Sequence, residues 1–139
     1  MPVTNTTTGL AGEYITAAAI LQLGYQVALA QQDKIDLLAF LDGEFFRVQV
    51  KSARIYQQTG HSRGYQFQLG SGSKSKRRPD PLDYDILATC AVDQRRVFFQ
   101  ACCAVKQTTQ RRSPAFFERH DIEADSWAKA VEIVRETRL

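Results

Sequence analysis

The stretch from Lys34 to Ala53 of this 139-residue chain, KIDLLAFLDGEFFRVQVKSA, reads from its apolar and polar positions as two strands joined by a tight turn. Asp42-Gly43 at its centre is the pair favoured in a two-residue hairpin turn, and the flanking runs have strand periodicity. Such a loop sets Leu41 opposite Glu44 and, counted back along both strands, Asp36 opposite Gln49. Side chains alternate between the two faces of a strand. One face of the predicted hairpin therefore carries Asp36, Arg47, Gln49 and Lys51. The other carries Ile35, Leu37, Ala39, Leu41, Phe46, Val48 and Val50. A carboxylate, an amide and an ammonium backed by an apolar ribbon suggest a site built on a rigid support.

The pattern elsewhere predicts the elements around that ribbon. Residues 1–8 are Thr-rich and read as a frayed end. From Gly9 to Leu23 the spacing predicts a helix with Leu10, Tyr14, Ala17, Ala18 and Leu21 on its apolar stripe, stopped by Gly24. Glu13 lies at the edge of that stripe, where an acid also suits the positive end of the helix dipole. Tyr25–Ala30 alternates as a short strand, and Gln31-Gln32-Asp33 turns into the hairpin. Tyr65–Leu69 predicts a further strand. Residues 70–81, GSGSKSKRRPDP, lack periodicity and read as a basic loop. Leu82–Val92 and Val97–Ala101 predict a second hairpin, and a weakly patterned segment leads to a helix over residues 126–138. Helix, several strands, helix is an α/β (α+β) order: one domain over residues 1–139, with a mixed sheet of four or more strands flanked by helices.

Composition is that of an ordinary globular protein, 44% hydrophobic and 24% charged. No apolar run approaches the roughly 18 residues of a membrane span. The first residues lack a basic-then-apolar signal pattern, so the expected location is the cytoplasm. Cys90, Cys102 and Cys103 have no metal-ligand spacing and read as small buried thiols in a reducing compartment. The net charge of +3 is modest, but the cations cluster: Lys74, Lys76, Arg77 and Arg78 share the Gly/Ser-rich loop, with Arg pairs at 95–96 and 111–112.

Asp36, Gln49 and Lys51 form D-x12-Q-x-K. A carboxylate beside an amide oxygen suits a hard divalent cation such as Mg²⁺, which takes oxygen ligands and keeps several waters. The Val50 carbonyl adds another oxygen, and Glu13 supplies a second carboxylate from the helix. Lys51, two residues past Gln49, can approach an attacking water or a phosphate. Together these groups suit in-line hydrolysis of a phosphodiester. Asp33 is a rival carboxylate in the preceding turn. His61 and His120 read as surface histidines, and Tyr56, Tyr65, Phe67 and Tyr84 as packing residues.

Gly9–Glu13 (GxxGE), Leu23–Val27 (LGYQV), Ile35-Asp36 and Val48–Ala53 (VQVKSA) together resemble the PD-(D/E)XK nuclease superfamily. QVKSA followed by Asp83–Ala88 (DYDILA) and Arg96–Gln100 (RVFFQ) is similar, more narrowly, to the homing endonucleases of this fold associated with bacterial group I introns. The resemblance covers residues 9–101. It implies a restriction-endonuclease-like core of helix and mixed sheet and a Mg²⁺-dependent double-strand cut, with Mn²⁺ able to substitute. It also implies that Asp36 and Gln49 hold the metal, that Lys51 is catalytic, and that Glu13 is an active-site carboxylate. Gln49 stands where most of the superfamily has an acid, and the intron-associated branch uses this same residue type.

Duplex DNA is then the expected partner. Arg54, Arg63, Lys74, Lys76, Arg77 and Arg78 are suited to phosphates, while Gln57, Gln58, Gln66 and Gln68 are chemically able to read base edges. A chain of this size is expected to act as a homodimer or homotetramer, which sets two active sites on opposite strands. The alternatives are a structure-selective nuclease of the junction-resolvase kind and a DNA-binding module that no longer cuts.

Overall fold

The hairpin forms with the register its turn dictates. In the computed structural model, which describes residues 3–57, 59–60, 62–70 and 77–139, Asp42 and Gly43 both take positive φ, 53° and 80°. That is the requirement of a type I′ turn. The elements follow in the order α1 (Asn5–Gln22), β1 (Gln26–Gln32), β2 (Ile35–Leu41), β3 (Glu44–Ala53), β4 (Tyr65–Gln68), β5 (Ile86–Ala91), β6 (Arg96–Ala101), β7 (Thr109–Arg112) and α2 (Ile122–Thr137). Short 3-10 turns lie at Cys102–Ala104 and Pro114–Glu118.

Five strands form one sheet in the order β1-β2-β3-β5-β6, and β4 and β7 pair as a separate two-stranded ribbon. All pairings are antiparallel except β3 with β5. This is the mixed α+β architecture expected from the sequence, with a five-stranded sheet flanked by two helices. Between β3 and β6, β5, ILATCA, is buried along its whole length. A strand covered on both faces reads as a continuous apolar run, as this one does.

Each sheet face has its own core. Under the helices, Leu37, Ala39, Phe46, Val48, Ile86, Ala88, Cys90 and Phe99 meet Ile20 of α1 and Trp127, Val131 and Val134 of α2. Trp127 lies edge-on to Tyr25, Phe46 and Phe99, with ring centroids 5.1, 6.0 and 4.9 Å away. On the opposite face Ala53, Leu87 and Ala91 are covered by Tyr65 and Phe67 of β4 together with Phe117. Cys90 and Cys102 are buried thiols, both pushed up to about 12 by burial. No described helix is long and apolar enough to cross a membrane.

Several sequence expectations are corrected. The helix starts at Asn5, four residues before the expected Gly9, because Thr4 and Thr7 form a reciprocal capping box around its first turn. Its buried face is Gly12, Thr16 and Ile20, with Ile15, Ala19 and Leu23 packed beside them. Of the expected stripe, Ala17 packs against the core, while Leu10, Tyr14 and Leu21 are about half exposed, at 49%, 55% and 54%. Alanines at positions 17–19 blur the apolar periodicity, and the choice falls to the small residues that let the helix approach the sheet. The second hairpin begins only at Ile86, and β7 lies in the segment read as weakly patterned. The C-terminal helix starts at Ile122 rather than at residue 126.

Gly12 is where the close approach occurs. A Cβ built there would stand 1.7 Å from the Ser52 hydroxyl oxygen and 2.7 Å from the Ser52 Cβ, and 3.7 Å from the next neighbour, Cys90. Gly12→Ala is therefore expected to cost about 1–3 kcal/mol, the usual range for overpacking, read from the urea midpoint. Adding Ser52→Gly should recover part of the loss. A Gly12→Ala protein as stable as the parent would contradict this contact.

Candidate active site at the open edge of β3

The hairpin ladder stops one step short of Asp36. β2 and β3 pair from Leu41/Glu44 to Leu37/Val48, while β5 pairs with the other edge of β3 from Val48 to Ala53. Each half of β3 thus has a strand on a different side, and among the described residues no strand pairs with its β2-facing edge from Gln49 onward. The expected placement of Asp36 opposite Gln49 is close in space but is not a ladder pair. Asp36 instead uses its side chain: its carboxylate Oδ2 accepts from the Val50 N–H at 2.8 Å. Within an extended strand the N–H and C=O of one residue point the same way, so the Val50 carbonyl opens into the same gap.

Four candidate groups lie along this edge. Strand alternation puts Gln49 and Lys51 on the face opposite α1, and both are half-buried. Asp36 is half-buried; burial raises its pKa, against the lowering effects of the Val50 N–H and the Lys51 charge. Glu13 approaches from the helix side, one residue after the Gly12 contact. Burial raises Glu13 first, and repulsion from Asp36 adds to it. Electrostatic coupling therefore links Glu13 to Asp36 and Asp36 to Lys51. Among the described residues, no group of three or more His, Cys, Asp or Glu side chains gathers where it could hold a metal ion. The oxygen donors at this edge are two carboxylates, the Gln49 amide and the Val50 carbonyl. That neutral-plus-anionic oxygen set fits a hard divalent cation, and two partly desolvated carboxylates raised in pKa suit such a charge.

The remaining candidates divide. Arg47, expected in the polar cluster, is committed elsewhere: it bonds both oxygens of Asp85 and the carbonyls of Pro81 and Leu82. Asp85 also accepts from the Arg47 N–H at 2.7 Å and contacts Arg138, so this network clamps the start of β5 to β3. Arg54, 41% exposed, is paired with Asp93 at 3.2 Å and donates to the Thr8 hydroxyl. Arg63, Arg77 and Arg78 are exposed, and Asp33 is exposed in the turn before β2. Lys74, Lys76, His61 and Gln58 lie outside the described residues.

Sequence reasoning missed one polar cluster beside the site. A cleft of about 440 Å³ runs from Ser52, Ala53 and Arg54 at the end of β3 past Asn5 and Thr8 to Tyr56 and Gln66. At its far end Arg111 of β7 donates to the Tyr56 hydroxyl at 2.8 Å and to Gln66 at 3.3 Å, and Tyr56 donates to Gln66. The signal was the arginine pair at 111–112, whose strand was not foreseen.

No family model matches the chain. It is 37% identical to Protein 5.3 of Escherichia phage T7 over 95 residues, which cover 66% of this chain and 76% of that protein. Among solved structures it is similar to that of a bacterial homing endonuclease, I-Ssp6803I, with a TM-score of 0.69 and 15% identity over 98% of this chain and 97% of the other. At that identity the likeness is one of fold. It extends through the last third of the chain, past the residues 9–101 on which the sequence resemblance rests.

The raised carboxylates carry a stability consequence. A group whose pKa is higher in the folded than in the unfolded chain favours folding below its unfolded pKa, and that contribution is lost as pH rises through the folded value. Ionised Asp36 therefore costs stability at neutral pH. Asp36→Asn keeps an oxygen to accept from Val50 and should melt higher than the parent at pH 7 without divalent cations. The gap should close near pH 4, where the unfolded carboxyl titrates. An Asn variant that melts lower at pH 7 would contradict the burial argument.

Proposed function

We propose that this chain, which belongs to the family of Protein 5.3 of Escherichia phage T7, is a metal-dependent DNA endonuclease that hydrolyses phosphodiester bonds. The observation that carries the reading is the Asp36 carboxylate held at 2.8 Å on the Val50 N–H, at the edge where β3 has lost its partner. Its charge is coupled to Glu13 on one side and to Lys51 on the other. The nuclease-like fold supports it.

In this reading Asp36, the Gln49 amide oxygen and the Val50 carbonyl hold Mg²⁺, with Glu13 as a further oxygen ligand and Mn²⁺ as a substitute. The cation supplies Lewis acidity towards a phosphoryl oxygen and lowers the pKa of a bound water. Asp36 is fixed by the Val50 N–H, so its free lone pairs keep one direction. Lys51 presents an ammonium to the charge that develops on the phosphate, and such fixed countercharge is among the largest contributions to catalysis. Glu13 brings the second carboxylate to the site, with its charge coupled to that of Asp36. Arg54, Arg63, Lys74, Lys76, Arg77 and Arg78 neutralise the phosphates of duplex DNA.

The finer reading is a site-specific homing enzyme encoded by a group I intron. It consists of a single nuclease domain over residues 1–139 of the PD-(D/E)XK superfamily. It acts in the cytoplasm as a homodimer or homotetramer that makes a double-strand break. A second reading has one observation in its favour. With Gln49 in the donor set, the edge lacks a third acidic ligand among the described residues, as would suit a binding module that no longer cuts.

Plasmid cleavage with Mg²⁺ decides between them. The parent protein is expected to nick and linearise DNA, and Lys51→Ala to lose about 100-fold or more in rate, the scale for removing one group that stabilises transition-state charge. Equal cutting by both proteins would remove Lys51 from the site. Salt-sensitive DNA binding with neither Mg²⁺ heat in calorimetry nor cleavage would favour the binding module. Preference for four-way junctions regardless of sequence would favour a resolvase over a homing role.

A further inference from the structure

The β4–β7 ribbon has an inner face that its packing explains and an outer face that packing does not. Its register is Tyr65↔Arg112, Gln66↔Arg111, Phe67↔Gln110 and Gln68↔Thr109. Tyr65 and Phe67 are buried against Phe117, and Arg112 lies over the Phe116 ring at 4.3 Å. Alternation sends Gln66, Gln68, Thr109 and Arg111 to the other side. Covering the sheet requires nothing polar there, yet the four side chains are two amides, a hydroxyl and a guanidinium.

These groups are also prearranged. Arg111 is held by the Tyr56 hydroxyl, by Gln66 and by the Ser62 carbonyl at 3.3 Å, and its guanidinium stands 5.5 Å from the Tyr56 ring centroid. Thr109 donates to Gln68 at 3.2 Å. The two segments that form and flank the ribbon are rich in cations: from Arg54 to Pro79, and again from Val105 to Phe117, the sequence has no acidic residue, and Asp93 beside them is paired with Arg54. The outer face adjoins the cleft that begins at Ser52, the residue after Lys51.

We infer that the β4–β7 ribbon is the base-reading element of the protein, entering the major groove of duplex DNA with Gln66, Gln68, Thr109 and Arg111 towards the base edges. This deepens the DNA reading of the preceding subsection. Two antiparallel strands about 5 Å apart and about 14 Å long fit a groove about 12 Å wide, which admits a two-stranded ribbon. Arginine pairs with the O6 and N7 of guanine, glutamine with the N6 and N7 of adenine, and the threonine methyl packs on that of thymine. The deep, narrow major groove of A-form RNA excludes such a ribbon.

Selection from a randomised duplex DNA library, without divalent cations and with sequencing of the bound fraction, tests this. The parent protein should return a motif. Arg111→Ala and Gln68→Ala, both at exposed positions, should each lose discrimination by about fivefold or more at one or two base pairs, the lower end for a bidentate contact, with the rest of the motif kept. Thermal unfolding of both variants controls for folding. An unchanged motif, a uniform fall in affinity with unchanged preferences, or no motif from the parent would overturn the inference. So would equal binding of duplex RNA. A parent that selects a motif but cuts nothing with Mg²⁺ leaves the ribbon standing and removes the nuclease reading. A parent that cuts, with a motif that ribbon substitutions do not alter, does the reverse.

Discussion

A single unpaired strand edge organises this molecule. β3 is ten residues long, and neither neighbour covers it throughout: β2 serves its first half on one side and β5 its second half on the other. An exposed row of backbone donors and acceptors is ordinarily a liability in a sheet. Here the edge is answered by a side chain, since Asp36 accepts the Val50 N–H that a continued β2 would have taken. The substitution turns a structural defect into an anchored carboxylate. It also leaves a backbone carbonyl of the same residue facing outward at the same place. Everything proposed for the site follows from that fork in the sheet.

Two contacts of different character frame this edge. Arg47 and Asp85 bind each other through side chain and backbone, which fixes where β5 begins alongside β3. On the other face, α1 presses onto the far half of β3 through Gly12 and Ser52. Both contacts join β3 to elements distant in sequence, while the two carboxylates are raised in pKa chiefly by burial. Stability is thus concentrated in the frame and given up at the edge. A chain selected for stability alone would have no reason to bury Glu13 beside Asp36.

What could be read from the sequence follows from where local chemistry decides. Asp42-Gly43 admits essentially one turn, so the register of the hairpin and the burial of Leu37, Ala39, Phe46 and Val48 are legible in the residues themselves. The end of the ladder is not. Whether β2 continues past Leu37 depends on β5 and α1, elements distant in sequence. The helix face is misread because Ala17, Ala18 and Ala19 offer apolar surface in every direction, leaving Leu10, Tyr14 and Leu21 as the louder signal. The ribbon's second strand, TQRR, has no apolar alternation, because the buried positions of that strand are Gln110 and the stem of Arg112. A strand whose inward residues are polar is invisible to hydrophobic periodicity.

The two glycines of the Gly9–Glu13 motif separate once packing is considered. A side chain at Gly9 would meet nothing within 4 Å, while one at Gly12 would strike Ser52. The glycine that matters is therefore the one adjacent to Glu13. By letting the helix backbone approach β3 at Ser52, it brings the next residue to the level of the open edge, where its charge is felt by Asp36. The motif can then be read mechanically: glycine sets the helix-to-sheet distance, and the acid beside it uses that distance to reach across the sheet edge. Of the four candidate side chains, Glu13 alone does not come from the hairpin, so its position depends on that contact rather than on strand register.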